Sequence, residues 1–332
     1  MTARRRLARS TQAEAGRRPR VFLVDDHRQV LDTLSSMLAR EFDVVGVATD
    51  GRQAIDAARH ANPDVIVLDV EMPGFDGFQT LRAFERELSP KPPVVFLSMH
   101  NAEDIIGEAF KCGGRGYVLK ARAGRDLPSA IDQAILGRMF APSLPSLFTL
   151  ANGGGHAVQL HGDSESFLDG VAGFFDLALR HGDATCVIGH EGIREGLVGR
   201  LHVRGWSVGS SSGHPRYRAV DAADALGSFM RNGRPDTVRL AEIIAELDQY
   251  RLAAGEGSPP RLTIFGDLVV PLIADGNIGA VIEIEQLWTR LTQSLPFFTV
   301  CGYPMSCFHR DVPSLWSDVC DEHRMMTHAS DV

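Results

Sequence analysis

Residues 65–68 read Val-Ile-Val-Leu, Asp69 follows at once, and a turn rich in Pro and Gly (Met72-Pro73-Gly74-Phe75-Asp76-Gly77) comes directly after. A run that is apolar at every position, and β-branched at three of four, has no side to turn toward water. It suits a strand covered on both faces. Similar runs recur at Val21–Val24, Asp43–Val47, Val94–Leu97 and Gly116–Leu119. Between them the apolar residues fall at helical spacing: Val30, Leu31, Leu34, Met37 and Leu38 share one face, as do Leu127, Ile131 and Ile135. Strands of this kind alternating with helices predict a five-stranded parallel sheet, doubly wound, over residues 20–139.

In such a sheet every strand end opens onto one edge, where open α/β folds place their ligands. The first strand ends in Asp25-Asp26, the third in Asp69, the fourth in Ser98 and the fifth in Lys120. Carboxylates crowded together repel, and a cation relieves them. All-oxygen donors of this type suit Mg²⁺. The amine and hydroxyl supply a positive charge and a donor for an anionic ligand, so the combination predicts a phosphoryl-transfer site. Each residue alone could equally be a polar group closing a strand; the set together points to chemistry.

Residues 20–139 resemble the receiver domain of two-component response regulators, with a flavodoxin-like fold. The resemblance rests on Val24-Asp25-Asp26-His27, on Leu68-Asp69-Val70-Glu71-Met72-Pro73-Gly74-Phe75-Asp76-Gly77, on Phe96-Leu97-Ser98-Met99-His100 and on Gly113-Gly114-Arg115-Gly116-Tyr117-Val118-Leu119-Lys120. It implies that Asp69 accepts a phosphoryl group from a histidine kinase or phosphotransfer protein. It implies further that Asp25, Asp26, Asp69 and the backbone carbonyl of Glu71 organise Mg²⁺, and that Lys120 and Ser98 hold the phosphoryl oxygens. Tyr117 is implied as the aromatic that follows Ser98 and reshapes the face of the fourth helix, fifth strand and fifth helix. The segments Gly113–Lys120 and Gly137-Arg-Met-Phe-Ala-Pro142 are similar to NarL/LuxR-like receivers, but no helix-turn-helix pattern follows.

Residues 140–155 are rich in Pro, Ser and Gly and read as a linker. From 156 to 310 strand-like runs (Ala157–His161, Ala184–Ile188, Leu262–Phe265, Phe297–Cys301) again alternate with helical stripes, one of them Phe167, Leu168, Val171, Phe174 and Phe175 behind an Asp163-Ser164 cap. This predicts a second α/β domain. Its Gly189-His190-Glu191-Gly192-Ile193-Arg194-Glu195-Gly196 loop sits where a phosphate loop would, yet it lacks the Lys-Ser/Thr pair and carries two acids, so it reads as degenerate RecA-like without nucleotide machinery. The stretches His156–His161, Thr263–Asp267, Ile284–Trp288 and Cys301-Gly-Tyr303-Pro304 resemble the MEDS domain, a sensory domain itself similar to RecA-like cores. Gly266-Asp267-Leu268 departs from the Gly-Glu-Met of many relatives. That resemblance implies a small-molecule ligand or a protein target and carries over no catalytic residue.

Trp288 and Tyr303 read as core rather than pocket lining, and Glu285 as either a buried, paired acid or a helix-boundary charge. Cys320 and His323, with Cys307 and His309, are spaced too irregularly for a zinc motif and read as coincidental. Residues 1–19, with six arginines and almost no large apolar residue, read as a disordered tail, and 311–332 as a frayed one.

No apolar run approaches the ~20 residues of a membrane span, and the basic N-terminus has no apolar segment behind it. The five scattered cysteines suit reduced thiols, and a cytoplasmic location is expected. A net charge of −8 argues against the whole molecule serving chiefly to bind DNA. The chain is therefore expected to be a non-enzymatic, phosphorylated response regulator controlling a sensory or interaction domain. A competing reading is a ligand-sensing transcriptional repressor or interaction module with the receiver as a homodimerisation switch.

Overall fold

The structure, a computed structural model, describes residues 17–150, 154–162, 164–209, 213–255, 259–307, 319, 323 and 325–328. The chain divides into two compact units at the step from Gly137 to Arg138.

The first unit holds the predicted β/α repeat. Its strands are β1 (Arg20–Val24), β2 (Asp43–Ala48), β3 (Val65–Asp69), β4 (Val94–Ser98) and β5 (Gly116–Leu119). They pair in the order β2-β1-β3-β4-β5, all parallel. The helices are α1 (Arg28–Leu38), α2 (Gly51–Ala61), α3 (Gly77–Glu87), α4 (Glu103–Lys111) and α5 (Ala123–Ile135). Right-handed crossovers in this strand order put α1 and α5 on one face and α2, α3 and α4 on the other, the flavodoxin-like arrangement. On the second face Ala54, Ile55, Leu81, Phe84 and Ile106 bury against Phe22, Ile66, Leu68 and Phe96.

Local chemistry sets where the helices begin. Asp50 accepts from the Arg52 and Gln53 amides to start α2. Asp76 and Gln79 form a reciprocal capping box at the start of α3. Gly77 is required there: a Cβ at this position would lie 2.2 Å from the Asp69 carbonyl oxygen. Its amide bonds the Val70 carbonyl at 3.0 Å, so α3 starts hard against the end of β3.

The second unit is also an α/β fold with an all-parallel sheet. Its strands are β6 (Met139–Ala141), β7 (Gly155–His161), β8 (Ala184–Gly189), β9 (Tyr217–Asp221), β12 (Leu262–Gly266), β13 (Phe297–Pro304) and β14 (Met325–His328), ordered β6-β14-β7-β13-β12-β8-β9. A separate hairpin, β10 (Met230–Arg231) and β11 (Arg234–Pro235), turns through Asn232-Gly233, both at positive φ as a tight hairpin turn demands. The long helix Ser164–Arg180 buries Phe167, Leu168, Val171, Phe174 and Phe175, the stripe its spacing predicts. Phe174 meets Phe298 edge-on at 5.6 Å, and Phe167 meets Phe265 at 5.3 Å. No helix among the described residues is long and apolar enough to cross a membrane.

Three expectations change. Residues 140–155 are not a bare linker: Met139–Ala141 form β6, and Leu144–Leu150 a helix whose Leu144 and Leu147 are buried. Residues 325–328, expected in a frayed tail, form β14 between β6 and β7, with Met325, Met326 and Thr327 buried. Arg17 and Arg18, assigned to the disordered N-terminal tail, reach Asp64 and the Ala39 carbonyl at 3.0 and 2.9 Å; residues 1–16 of that tail lie outside the described residues. So do Asp163, His309 and Cys320.

If β14 is an integral strand, Met326→Ala lowers stability by about 2–5 kcal/mol, whereas Val238→Ala at an exposed helical position changes it by less than about 0.5 kcal/mol. Urea denaturation followed by circular dichroism measures both.

Candidate phosphoacceptor site and a buried polar cluster

Strand register builds the site in the first unit. Val24 pairs with Leu68, so Asp25 and Asp69 leave neighbouring strands at the same height. Asp69 pairs with Leu97, one residue before Ser98, and Ser98 pairs with Leu119, one residue before Lys120. The side chains then converge. The Lys120 ammonium lies 2.7 Å from Asp25 Oδ2 and 2.8 Å from Asp69 Oδ2. Both carboxylates are buried, at 1% and 2% exposure. Their other oxygens accept backbone amides, Asp25 Oδ1 from His27 at 2.9 Å and Asp69 Oδ1 from Glu71 at 3.2 Å.

Electrostatics at this edge are finely opposed. Burial pushes the Asp69 carboxyl above its ordinary pKa and the Asp25 charge adds to this, while Lys120 and the Glu71 amide pull it back. For Lys120 burial favours the neutral amine, but hydrogen bonds to Asp25 and Asp69 outweigh it and hold the ammonium above its usual range.

The remaining expected residues surround this pair. Asp26 is half-buried and hydrogen-bonds His27 Nδ1 at 2.8 Å. Ser98 is fully buried, and its Oγ accepts the His100 amide at 3.0 Å. Tyr117 is buried within β5, and its hydroxyl donates to the His100 carbonyl at 2.8 Å. The Glu71 side chain is exposed and meets His100 Nε2 at 2.6 Å. His100 thus touches Ser98, Tyr117 and Glu71, a role that sequence reasoning missed. Its only signal was its place two residues after the strand-end serine.

In the second unit the expected Gly189–Gly196 loop is mostly helix, for His190 alone separates β8 from the helix Glu191–Val203. Arg194 bonds the Gly189 carbonyl at 3.0 Å and Asp221 at 2.7 Å. A separate cluster joins His156 on β7, Glu285 on the helix Ile278–Thr292, Cys301 on β13, and His323. One donor atom from each lies within 4.8 Å of all the others. Glu285 is the buried, paired acid of the two alternatives, for Tyr303 donates to its Oε1. Tyr303 is a core residue, as expected; Trp288 is buried too, but is not core alone. Trp288 also contributes to the wall of a cavity of about 320 Å³, with Ile188, Val220, Phe229 and Leu247.

The parallel β2-β1-β3-β4-β5 sheet, with two buried aspartates bridged by a lysine at its carboxyl edge, is the architecture of a response regulator receiver domain, and residues 21–132 match the family model of that name. The chain itself belongs to the MEDS family (MEthanogen/methylotroph, DcmR Sensory domain), whose model matches residues 155–323, just over half of its length. The nitrate/nitrite response regulator protein NarL of Escherichia coli K12 is 37% identical over 121 residues, 36% of this chain and 56% of that protein. Transcriptional regulatory protein DesR of Bacillus subtilis is 34% identical over 136 residues, 40% of this chain and 67% of that protein. The isolated receiver domain of RcsB from Salmonella enterica serovar Typhimurium, solved with the phosphomimetic BeF₃⁻, is 28% identical, with 38% of this chain and 94% of that one covered and a TM-score of 0.35. The first relatives are thus matched over little more than half their own length.

Because Lys120 holds the Asp69 carboxyl down against burial, Lys120→Met moves its titration midpoint further up. Carboxyl-carbon NMR across an acid titration of native and variant chains reads the change directly.

Proposed function

We propose that this chain is a cytoplasmic response regulator whose Asp69 accepts a phosphoryl group from phosphohistidine on a partner kinase or phosphotransfer protein, and that this modification controls the MEDS domain. The observation that carries the reading is the Lys120 ammonium held between buried Asp25 and Asp69. It opposes the burial that pushes the Asp69 carboxyl up, and so favours the ionised form that a nucleophile needs.

In the transfer an Asp69 oxygen attacks phosphorus, a P–O bond forms, and the P–N bond to the donor imidazole breaks. Lys120 is already within contact distance of Asp69 and turns to the new phosphoryl oxygens. Ser98 exchanges its present bond with the His100 amide for donation to one of those oxygens. Tyr117 then loses the arrangement that ties it to His100, which alters the surface of α4, β5 and α5. That surface is a natural place for homodimer formation.

The donor set suits Mg²⁺: Asp25, Asp26 and Asp69 offer only oxygen, two of them are buried, and the carbonyl of Glu71 completes the set by analogy with receiver domains. When bound, the ion would neutralise carboxylate and phosphoryl charge. Acceptance and slow hydrolysis of its own phosphoryl group are the only reactions this reading gives the chain. Incubation of the full chain with Mg²⁺ and acetyl phosphate is expected to add one phosphoryl mass, and Asp69→Asn to add none. An unmodified native chain, or equal labelling of the variant, rejects the proposal.

A second reading, in which the MEDS domain also senses a small molecule, is supported by the cavity beside Trp288. Its largely apolar wall also carries Arg218 and Arg239 with Asp224, Glu242 and Glu246, a combination suited to an amphiphilic ligand. Calorimetric titration with a panel of small amphiphiles is expected to release heat in the native chain and none in Ser228→Phe, which fills the cavity. No heat with any compound counts against sensing there.

A further inference from the structure

The buried cluster in the MEDS unit has the composition and spacing of a metal site. His156 Nε2 lies 3.1 Å from Cys301 Sγ and 3.3 Å from Glu285 Oε2. His323 Nε2 lies 3.6 Å from the same Glu285 oxygen, and Cys301 Sγ lies 3.7 Å from it. A tetrahedral Zn²⁺ with bonds of about 2.0–2.3 Å sets its donors roughly 3.3–3.8 Å apart. Three of these four separations fall in that range, the His156–Cys301 pair lies just below it, and the remaining pairs of donors are within 4.8 Å of each other. Two imidazoles, a thiol and a carboxylate form a donor set of borderline softness, which selects Zn²⁺ or a similar transition ion over Mg²⁺ or Ca²⁺.

The supporting contacts point the same way. Ligating histidines fix their free nitrogen by bonding the other one outward. His323 Nδ1 meets the Val319 carbonyl at 2.7 Å, so that nitrogen carries the proton and Nε2 presents a lone pair. His156 Nδ1 is likewise held by Thr289 Oγ1 at 3.0 Å. The second Glu285 oxygen accepts the Tyr303 hydroxyl, leaving Oε2 facing both histidines and the cysteine. His323 is 2% exposed, and its Nε2 has no hydrogen-bond partner among the described residues. A buried imidazole nitrogen left without a bond is destabilising, and this one lies where three other donors already converge.

We infer that His156, Glu285, Cys301 and His323 form a four-coordinate site for Zn²⁺ or a chemically similar transition-metal ion, tying His323 to β7, β13 and the helix Ile278–Thr292. Four protein donors fill a tetrahedral shell, which is the pattern of a structural site rather than one holding an open position for substrate. Entry of the ion displaces the thiol proton of Cys301 to solvent, so the ligand is the thiolate.

The test uses the full chain with one equivalent of Zn²⁺ or Co²⁺, dialysed against excess Mg²⁺ to keep the receiver's oxygen donors out of the measurement. One metal per chain is expected to remain by elemental analysis, and the Co²⁺ form to show tetrahedral d–d bands together with thiolate charge-transfer absorption. Cys301→Ser should abolish the charge-transfer band. His323→Ala should keep the band and weaken Zn²⁺ binding by at least tenfold, and Thr289→Ala should weaken it by about 10–100-fold through loosened His156. A native chain that retains no metal overturns the inference. So does retention with the charge-transfer band intact in Cys301→Ser. Circular dichroism establishes that each variant is folded; if one is not, the native Co²⁺ spectrum and Thr289→Ala decide the question.

Discussion

A single ammonium between two buried carboxylates governs the first unit. Asp25 and Asp69 are delivered side by side because β1 and β3 are neighbours in register, and the backbone offers them no way apart. Two carboxylates sequestered from water at this distance would not both stay ionised. Lys120, carried in by β5 from two strands away, makes the arrangement tolerable. Other features of this edge serve that geometry. Gly77 lets α3 abut the end of β3, the Asp76 capping box fixes that helix start, and the amides of His27 and Glu71 hold the carboxylate oxygens not used by lysine. The same balance underlies the chemistry proposed for the site, in which an ion pair poised against desolvation rearranges when a dianionic group arrives.

The second unit solves a similar problem with a different chemistry. Glu285 is also a buried acid, but its neighbours are two imidazoles, a thiol and a phenol. Burial, followed in effect by Glu285, pushes the Cys301 thiol and the Tyr303 hydroxyl well up, and burial with the neighbouring His323 pushes the His156 imidazole well down. Around Asp69 the charges are several and mutually cancelling. Around Glu285 burial favours the neutral forms of the His156 imidazole, the Cys301 thiol and the Tyr303 phenol.

Much of the first unit was legible from the chain because each of its features is local. Val65–Leu68 states its burial in four letters, and Asp25, Asp69, Ser98 and Lys120 each sit at the end of such a run. The parallel sheet then brings them together without further information. In the second unit the helix carrying Phe167, Val171 and Phe174 was equally plain, for its stripe repeats at helical spacing. The strands β6 and β14 were not. Met139-Phe-Ala141 and Met325-Met-Thr-His328 are short, lack a β-branched run, and become strands only because neighbours pair with them. The four-donor cluster was harder still. Its members come from two strands, a helix and a late segment, with no fixed spacing to betray them. Spacing groups His323 with Cys320, Cys307 and His309, and says nothing of the Glu285 and His156 that it meets in the fold.

The position of β14 has a consequence for how the second unit comes into being. Its sheet is parallel throughout, and the strand lying between β6 and β7 is encoded nearly two hundred residues after the first of them. Until Met325–His328 has been synthesised, β6 and β7 each present an edge of unpaired amides and carbonyls facing the gap. Contacts this distant in sequence form slowly, and exposed edges invite wrong partners in the interval. During translation this unit therefore remains open along one seam until the last strand seats, which makes nascent and truncated chains the forms most exposed to aggregation and chaperone capture.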